Sequence, residues 1–596
     1  MSSNISGIPI NPSEAPREFP ANRGFSVCYL GKTLLSRIDP ISQAERLAEE
    51  IPARDGTLYF CPSPLYGYGL DRILKKLGKH SAILCVERDG QLFDLSARNM
   101  AGLLEGEKLL SGELKPISLV KTGAGSEAAL CAYVRKTWGE RRFRRVEVLR
   151  LTGGWRLFPE FYESLADHLR RDLAASWGNA MTLIKLGRLY ARNAVRNLAL
   201  LPKAGDIAAL DFGADPVLVL GAGPSLDGVL EELEKKFGPA LGDPQSRPFR
   251  IVCADTCIPC VKERGIRPDL AVILESQHWN LGDFSGARGW GIPAALDLSC
   301  LPASTRVLGG EISLFTIPWT GLRFFTRLEN EGLLPSRLSP LGSVGLTAAE
   351  LAMGLSSGPV IAGGLDFSFT LDSYHARSTP GHRARLIRCC RFNSLINAAA
   401  AYRAGVFRTA SKTGLSVLSD PAMRMYRDLF EQEFGASPRI FDIAGPGLSL
   451  GIKTLSPEEA CRVLAQETRR ERSSGENAGA KRPGGLGRDR EDLKNRLAAF
   501  IEKEAAALLR LRDFLTGKAS PAPGELETLL DEADYLWAHF PECAGTGGRG
   551  AGGERNNVGI NDGGNDHNPD TDNCDNGNSI MQDNKQEIAG EKCESS

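Results

Sequence analysis

Between residues 213 and 465 short apolar runs alternate with helix-length amphipathic segments, and this alternation constrains the fold more than any other feature of the chain. The runs are 216–220, 250–254, 269–274, 313–318 and 358–363. Each has the length of a strand and is largely apolar, as in strands covered on both faces of a parallel sheet. Parallel neighbours need a crossover, and the segments between the runs are long enough to supply helices. The expected fold class is α/β, with a central doubly wound, Rossmann-like sheet that binds ligands at the carboxyl ends of its strands.

The first run ends in Gly221-Ala222-Gly223-Pro224-Ser225-Leu226-Asp227, ahead of a helix carrying Leu230 and Leu233. Backbone N–H groups at such a turn point outward, and the helix dipole favours an anion there. Gly221 and Gly223 permit close approach of a phosphate or a sugar carboxylate. Pro224 suits the first helical turn, and Ser225 either caps the helix or donates to a ligand oxygen. A dinucleotide site wants G-x-G-x-x-G and an acid about 20 residues on. Here Leu226 takes the third glycine position, and Asp255, followed by Thr256, lies 32 residues past Gly223. No G-K-[ST] follows, which excludes a P-loop. The pattern fits a mononucleotide site of another kind.

Later motifs extend that site. Gly342-Ser343-Val344-Gly345 precedes a helix, a second N-terminal anion position. The run at 358–363 leads into Gly364-Leu365-Asp366-Phe367-Ser368, and Tyr374 follows Asp366 by eight residues. His375 comes next, then His382. A strand-end Asp, a phenol and two imidazoles in one loop are the ingredients of transfer chemistry. The phenol can hydrogen-bond a leaving phosphate, and a neutral imidazole can take a proton from an attacking hydroxyl. Either histidine can play that part.

The length of 596 residues suggests about four domains. Residues 1–23 read as a flexible N-terminus without a signal peptide. Residues 24–154 read as an N-terminal α/β domain, in which Gly67-Tyr68-Gly69 separates two strand-like runs and the second ends at Glu87. Residues 155–212 read as a helical connector, 213–466 as the central domain, 467–487 as a linker and 488–544 as a helical hairpin. The tail, 545–596, has 11 Gly, 9 Asn and no aromatic residue, a composition expected to be disordered. It carries 4 Lys/Arg against 10 Asp/Glu, which leaves 68 against 63 in the rest, a mildly basic body. The near-zero total charge argues against nucleic acid as a partner. No apolar run is long enough to span a membrane, and a cytoplasmic location is expected. The 14 cysteines are scattered, so free thiols are expected. Cys253, Cys257 and Cys260 have the spacing of cluster ligands but read as core and turn, and no metal site is expected.

Taken in order, G-x-G-P-S-L, Ala254-Asp255-Thr256, Pro268-Asp269-Leu270, G-S-V-G and G-G-L-D-F resemble the motility-associated factor (Maf) flagellin glycosyltransferases. The central domain of that family is similar to the archaeal 6-hydroxymethylpterin pyrophosphokinase MptE. Gly67-Tyr68-Gly69-Leu70, Asn193, Asn197-Leu198 and the segment 442–451 extend the resemblance over roughly 24–465. It implies a sialyltransferase-like sheet and inverting transfer of a nonulosonic, sialic-acid-like sugar. The sugar would move from a CMP-activated donor to Ser/Thr of flagellin, in flagellar assembly and motility, with no further cofactor. Gly221, Gly223 and Ser225 would face the CMP phosphate and ribose, with Pro224, Asp255, Thr256, Gly364 and Asp366 around the nucleotide. Ser343 would approach the nucleotide or the sugar carboxylate, and Tyr374 would stabilise the departing phosphate. Bacterial sialyltransferases with a related sheet carry a second tyrosine where this chain has Ser368, so that contact would pass to Ser368 or His375.

Two other readings stand beside this one. The first is MptE-like pyrophosphoryl transfer from ATP to a pterin alcohol, with Mg2+ held by Asp255 and Asp366. The second is a non-catalytic flagellin-binding factor.

Overall fold

The computed structural model describes residues 15–105, 116–123, 125–139, 142–319, 322–396, 399–466 and 489–540. The expected linker 467–487 and tail 545–596 lie outside the described residues. The chain divides into two compact units, Met1–Met181 and Thr182–Ser596.

The first unit is built on a four-stranded sheet in the order Ile117–Lys121, Ala82–Glu87, Thr57–Pro62, Arg145–Val148, all parallel. Thr57–Pro62 and Ala82–Glu87 are buried along their whole length, which is why both read as unbroken apolar runs. One face packs against Phe161, Tyr162, Leu165 and Leu169 from the start of the helix Pro159–Asn197. The other packs against Ala48, Leu70 and Ile73. Residues 17–20, expected within a flexible terminus, instead form an edge strand that pairs with Phe25–Tyr29. Alternating side chains there reach a small core of Val27, Tyr29, Leu34 and Leu65.

The second unit carries a nine-stranded parallel sheet. Its order is Thr454–Leu455, Ile440–Ile443, Val360–Gly363, Val217–Leu220, Arg250–Ala254, Leu270–Ile273, Ile292–Asp297, Gly309–Phe315, Gly205–Asp206. Leu218, Leu220, Ile251 and Cys253 point to one face, where Leu226, Val229, Ile258 and Leu464 cover them. Val217, Val219, Val252 and Val272 point to the other, under Leu346, Leu351, Ala352 and Phe430. Two covered faces make the sheet doubly wound. Winding runs outward from Val217–Leu220 on one side and resumes with Val360–Gly363 on the other, so the topological switch point lies between these two strands.

Four strands of this sheet escaped the sequence reading, the two-residue edge strand Thr454–Leu455 among them. Ile292–Asp297 contains Pro293, which argues against an interior strand. The structure accommodates it at a register irregularity between Ile292 and Ala294, opposite Gly309. The backbone is so close there that a Cβ on Gly310 would sit 2.0 Å from the Ile292 carbonyl oxygen. Ile440–Ile443 is short and carries Asp442. Gly205–Asp206 has only two residues, and it places the start of the sheet before the expected boundary at 213. The helices Arg490–Leu515 and Glu525–Glu532 belong to the same unit, held by a two-pronged Arg327–Glu504 ion pair. Cys253, Cys257 and Cys260 are buried core thiols. Among the described residues no helix is long and apolar enough to cross a membrane.

Candidate active site at the switch point

At the switch point the two glycine turns lock onto each other. Gly221 N–H donates to Gly363 O at 2.8 Å, and Gly223 N–H donates to Gly364 O at 2.8 Å. A Cβ on Gly223 would fall 2.5 Å from Asp366 Oδ2 and 2.7 Å from Gly364 O, and one on Gly221 would fall 2.4 Å from Leu365 Cδ2. Glycine is therefore required at 221 and 223 by the chain's own close approach. Gly364 turns the other strand with φ +73°. The expectation that the 221 and 223 N–H groups face a phosphate meets a different use: both are taken up within the protein.

Asp366 is buried beneath this turn. It accepts the Ser225 N–H on Oδ2 and the Ser225 hydroxyl on Oδ1, both at 2.6 Å. Ser225 accordingly serves neither as the expected helix cap nor as a free donor. Burial pushes the Asp366 carboxyl up, and the Ser225 donors and the Lys412 ammonium oppose the shift. Lys412 Nζ reaches both oxygens of Asp442 at 2.7 Å, and both side chains are almost completely buried. Burial raises Asp442 to about 6 against the pull of Lys412. Sequence reading missed Lys412, although it is the one lysine in an otherwise arginine-only, acid-free stretch from 373 to 419.

The loop after Asp366 returns to the glycine turn. Ala376 N–H donates to Ala222 O at 3.0 Å, and Arg377 N–H reaches the Asp227 carboxylate at 3.2 Å. Thr379 caps the helix Pro380–Arg388 by accepting from His382 N–H, while its hydroxyl donates to Ala376 O. These contacts bring Tyr374, His375 and His382 together around one cavity of about 30 Å³, completed by Gly381 and Arg385. A cavity of that size holds about one water. The Tyr374 ring lies 4.8 Å from Phe369 and 4.6 Å from His375, centroid to centroid. The Tyr374 hydroxyl and His382 Nδ1 are buried without a hydrogen-bond partner among the described residues.

Burial pushes the Tyr374 phenol up to about 12, so it stays a proton donor, with Asp420 reinforcing and Arg403 opposing the shift. Burial, then Arg385 and Arg403, push His375 down to about 4. Burial lowers His382 too, with Arg385 and Arg377 adding and Asp227 opposing. Neutral imidazoles, a protonated phenol and a guanidinium around one cavity can move a proton and receive developing negative charge.

Other candidate residues stand apart from this cavity. Ser368 is buried and donates to Pro446 O at 3.3 Å. Ser343 opens the helix Val344–Leu355 without a side-chain capping bond. Leu365 wedges between Gly345 and Gly221, at the positions their Cβ atoms would take. Asp255 ends its strand buried, accepting from Asn280 at 2.7 Å and from Thr256 N–H at 2.8 Å. Burial raises it to about 6 and raises its neighbour Asp283 to about 8. Asp255 and Asp366 thus each accept bonds from protein donors, in separate networks. Among the described residues no cluster of three His, Cys, Asp or Glu side chains fits a metal ion.

Asn193 and Asn197 flank the same edge of the sheet. Asn193 Nδ2 donates to Ser276 O and Ser299 O, and Asn197 Nδ2 to Leu298 O and Cys300 O. The sequence marked them only as part of a connector.

Residues 190–372 match the family model described as 6-hydroxymethylpterin diphosphokinase MptE-like, so the chain carries an MptE-like domain across the switch point. An uncharacterized protein of Treponema pallidum (strain Nichols) is 27% identical over 558 residues, covering 89% of this chain and 91% of the relative. The fold is similar to the solved structure of MAf glycosyltransferase from Magnetospirillum magneticum AMB-1. That likeness has a TM-score of 0.50 and 15% identity, covering 89% of this chain and 85% of the other.

Proposed function

We propose that the chain is a Maf-like glycosyltransferase that moves a nonulosonic sugar from a CMP-activated donor to a Ser/Thr hydroxyl of flagellin. The observation that carries this reading is the convergence of Tyr374, His375 and His382 on one cavity beside the switch point. A fold like that of a Maf glycosyltransferase along most of the chain supports it.

In this mechanism the neutral imidazole of His375 or His382 takes the proton of the acceptor hydroxyl. The hydroxyl oxygen forms the new bond to the anomeric carbon as the bond from that carbon to the CMP phosphate oxygen breaks. The released phosphate keeps the electron pair, hydrogen-bonded by Tyr374 Oη and faced by the Arg385 guanidinium. The bulk of the donor lies outside a cavity of about 30 Å³, with its leaving oxygen directed inward. No metal takes part in the scheme.

The test is incubation with CMP-sugars and flagellin, followed by intact mass measurement of flagellin. An unchanged mass with every donor would sink the reading. Tyr374→Phe should slow transfer about 100-fold, with fold stability largely kept because the ring and its packing on Phe369 are retained. A base at His375, titrating near 4, leaves the rate flat from about pH 5.5 to 8. An acid limb above that of His375 but below the ordinary histidine value assigns the role to His382 instead.

A second reading, pyrophosphoryl transfer from ATP to a pterin alcohol, is favoured by the MptE-like match. The engagement of Asp255 and Asp366 with protein donors weighs against it. Calorimetry separates the two: CMP binding supports the transferase, and binding of ATP–Mg2+ alone supports the kinase.

A further inference from the structure

Residues 373–419 contain seven arginines, one lysine and no aspartate or glutamate, in a chain that elsewhere mixes both signs. This stretch is an excursion between the strands Val360–Gly363 and Ile440–Ile443. It holds the helix Pro380–Arg388, which buries none of its residues, and the hairpin Phe407–Ala410/Ser416–Ser419. Large apolar side chains on it stand in solvent: Phe392 is 88% exposed, Ile387 85% and Tyr402 75%. Of the nineteen exposed large apolar residues described in the chain, seven fall between Leu371 and Leu415.

Some of the bases are neutralised nearby, Arg377 by Asp227, Arg383 by Glu263 and Lys412 by Asp442. Arg391 and Arg408 have no acid partner among the described residues, and the Arg391 guanidinium lies 5.7 Å from the exposed Phe392 ring. Exposed apolar side chains gathered with cations of one sign mark an interaction surface. Arg385 joins this surface to the cavity, since it lies on the helix and lines the cavity wall.

We propose that this face docks an acidic polypeptide carrying apolar side chains and presents it to the cavity of Tyr374, His375 and His382. Guanidinium forks match carboxylates two bonds at a time, and the rings and branched chains between them match apolar residues. An anionic membrane fits less well. A lipid-binding helix segregates its apolar residues on one face, whereas Leu386 and Ile387 are adjacent and flanked by Arg385 and Arg388. That the docked chain is the acceptor rests on the transferase reading; the docking itself does not.

The experiment uses the full chain and a fluorescent random copolymer of glutamate and tyrosine, read by anisotropy. Vesicles of phosphatidylcholine with phosphatidylserine, read by sedimentation, form the second arm. Wild type should bind the copolymer, more weakly as salt rises. The exposed double variant Arg388→Glu/Arg391→Glu should weaken binding at least tenfold, and Ile387→Ser/Phe392→Ser about fivefold. Lys236→Glu, on the exposed side of the helix Leu226–Phe237, should stay within twofold, and thermal melting should show all variants folded. Equal affinity of the wild type and both double variants would overturn the proposal. So would a surface that sediments with vesicles in a charge-dependent way while ignoring the copolymer. Copolymer binding without sugar transfer to any acceptor would leave the surface standing and remove only the transferase reading.

Discussion

Two strand-end carboxyls, one in each unit, meet burial in different ways. Asp366, at the switch point of the nine-stranded sheet, receives two short bonds from Ser225 and feels the Lys412 ammonium. Glu87, ending a strand of the four-stranded sheet, has a Tyr162 hydroxyl at 3.5 Å on one oxygen, and beyond that only the neutral Ser63 side chain opposes its burial. Burial raises both, and Glu87, without a cation among the groups acting on it, rises to about 8. The two sheets share a local order: Thr57–Pro62 and Val217–Leu220 are each flanked by the next strand in sequence on one side and a later strand on the other. The difference lies in wiring. A buried carboxyl given short bonds and a nearby cation becomes a structural node, and one given only weak neutral donors keeps its proton at neutral pH.

The glycine turns of the two sheets offer the sharpest way to break this contrast. Gly223→Ala should destabilise the second unit by about 3 kcal/mol, because the new methyl meets a carboxylate and a backbone carbonyl that cannot retreat. Calorimetric melting of the full chain checks it, and an unshifted transition would mean the turns are not locked. Asp366→Asn should cost about 2 kcal/mol, since an amide N–H then faces a Ser225 donor. Denaturant titration of the second unit measures this loss.

Gly67→Ala in the first unit should cost only about 1 kcal/mol. Its φ is +68°, but its neighbours are the flexible side chains of Met100 and Leu103. The smallest effect belongs to Glu87→Gln, expected within about 1 kcal/mol near pH 5, where the native carboxyl is already neutral. Its signature is in the pH dependence. Between the ordinary 4.5 and about 8 the unfolded chain has released the Glu87 proton and the folded chain retains it. Native protein binds more protons there, so stability falls as pH rises through this window. Glu87→Gln should flatten that slope in melting curves of the first unit, and an unchanged slope would show that Glu87 is ionised.

The strands at 217–220, 250–254 and 270–273 were legible because burial on both faces leaves Arg250 as the one polar position in the three runs. Ile292–Asp297 was hidden by Pro293, whose cost is absorbed by a glycine pair on the neighbouring strand, a fact no local window contains. The glycine turn was legible as a turn, but its partner was not. Ser225 and Asp366 lie 141 residues apart, and only the folded sheet brings them within bonding distance. Lys412 and Asp442 are 30 residues apart and fail for the same reason. Tyr374, His375 and His382 were found together because they are close in sequence, the first two in the loop after Asp366 and His382 in the first turn of the helix that follows it.

Asn193 and Asn197 stand one helical turn apart, and their two amides grip four carbonyls on the loops after Leu270–Ile273 and Ile292–Asp297. Such a grip sets the phase of the helix about its own axis. A roll of one residue, about 100°, would release all four carbonyls at once. Residues 190–197 therefore work as a key in a slot. The ends of two strands of the sheet, beside Asp297, are thereby tied to one rotational setting of this helix.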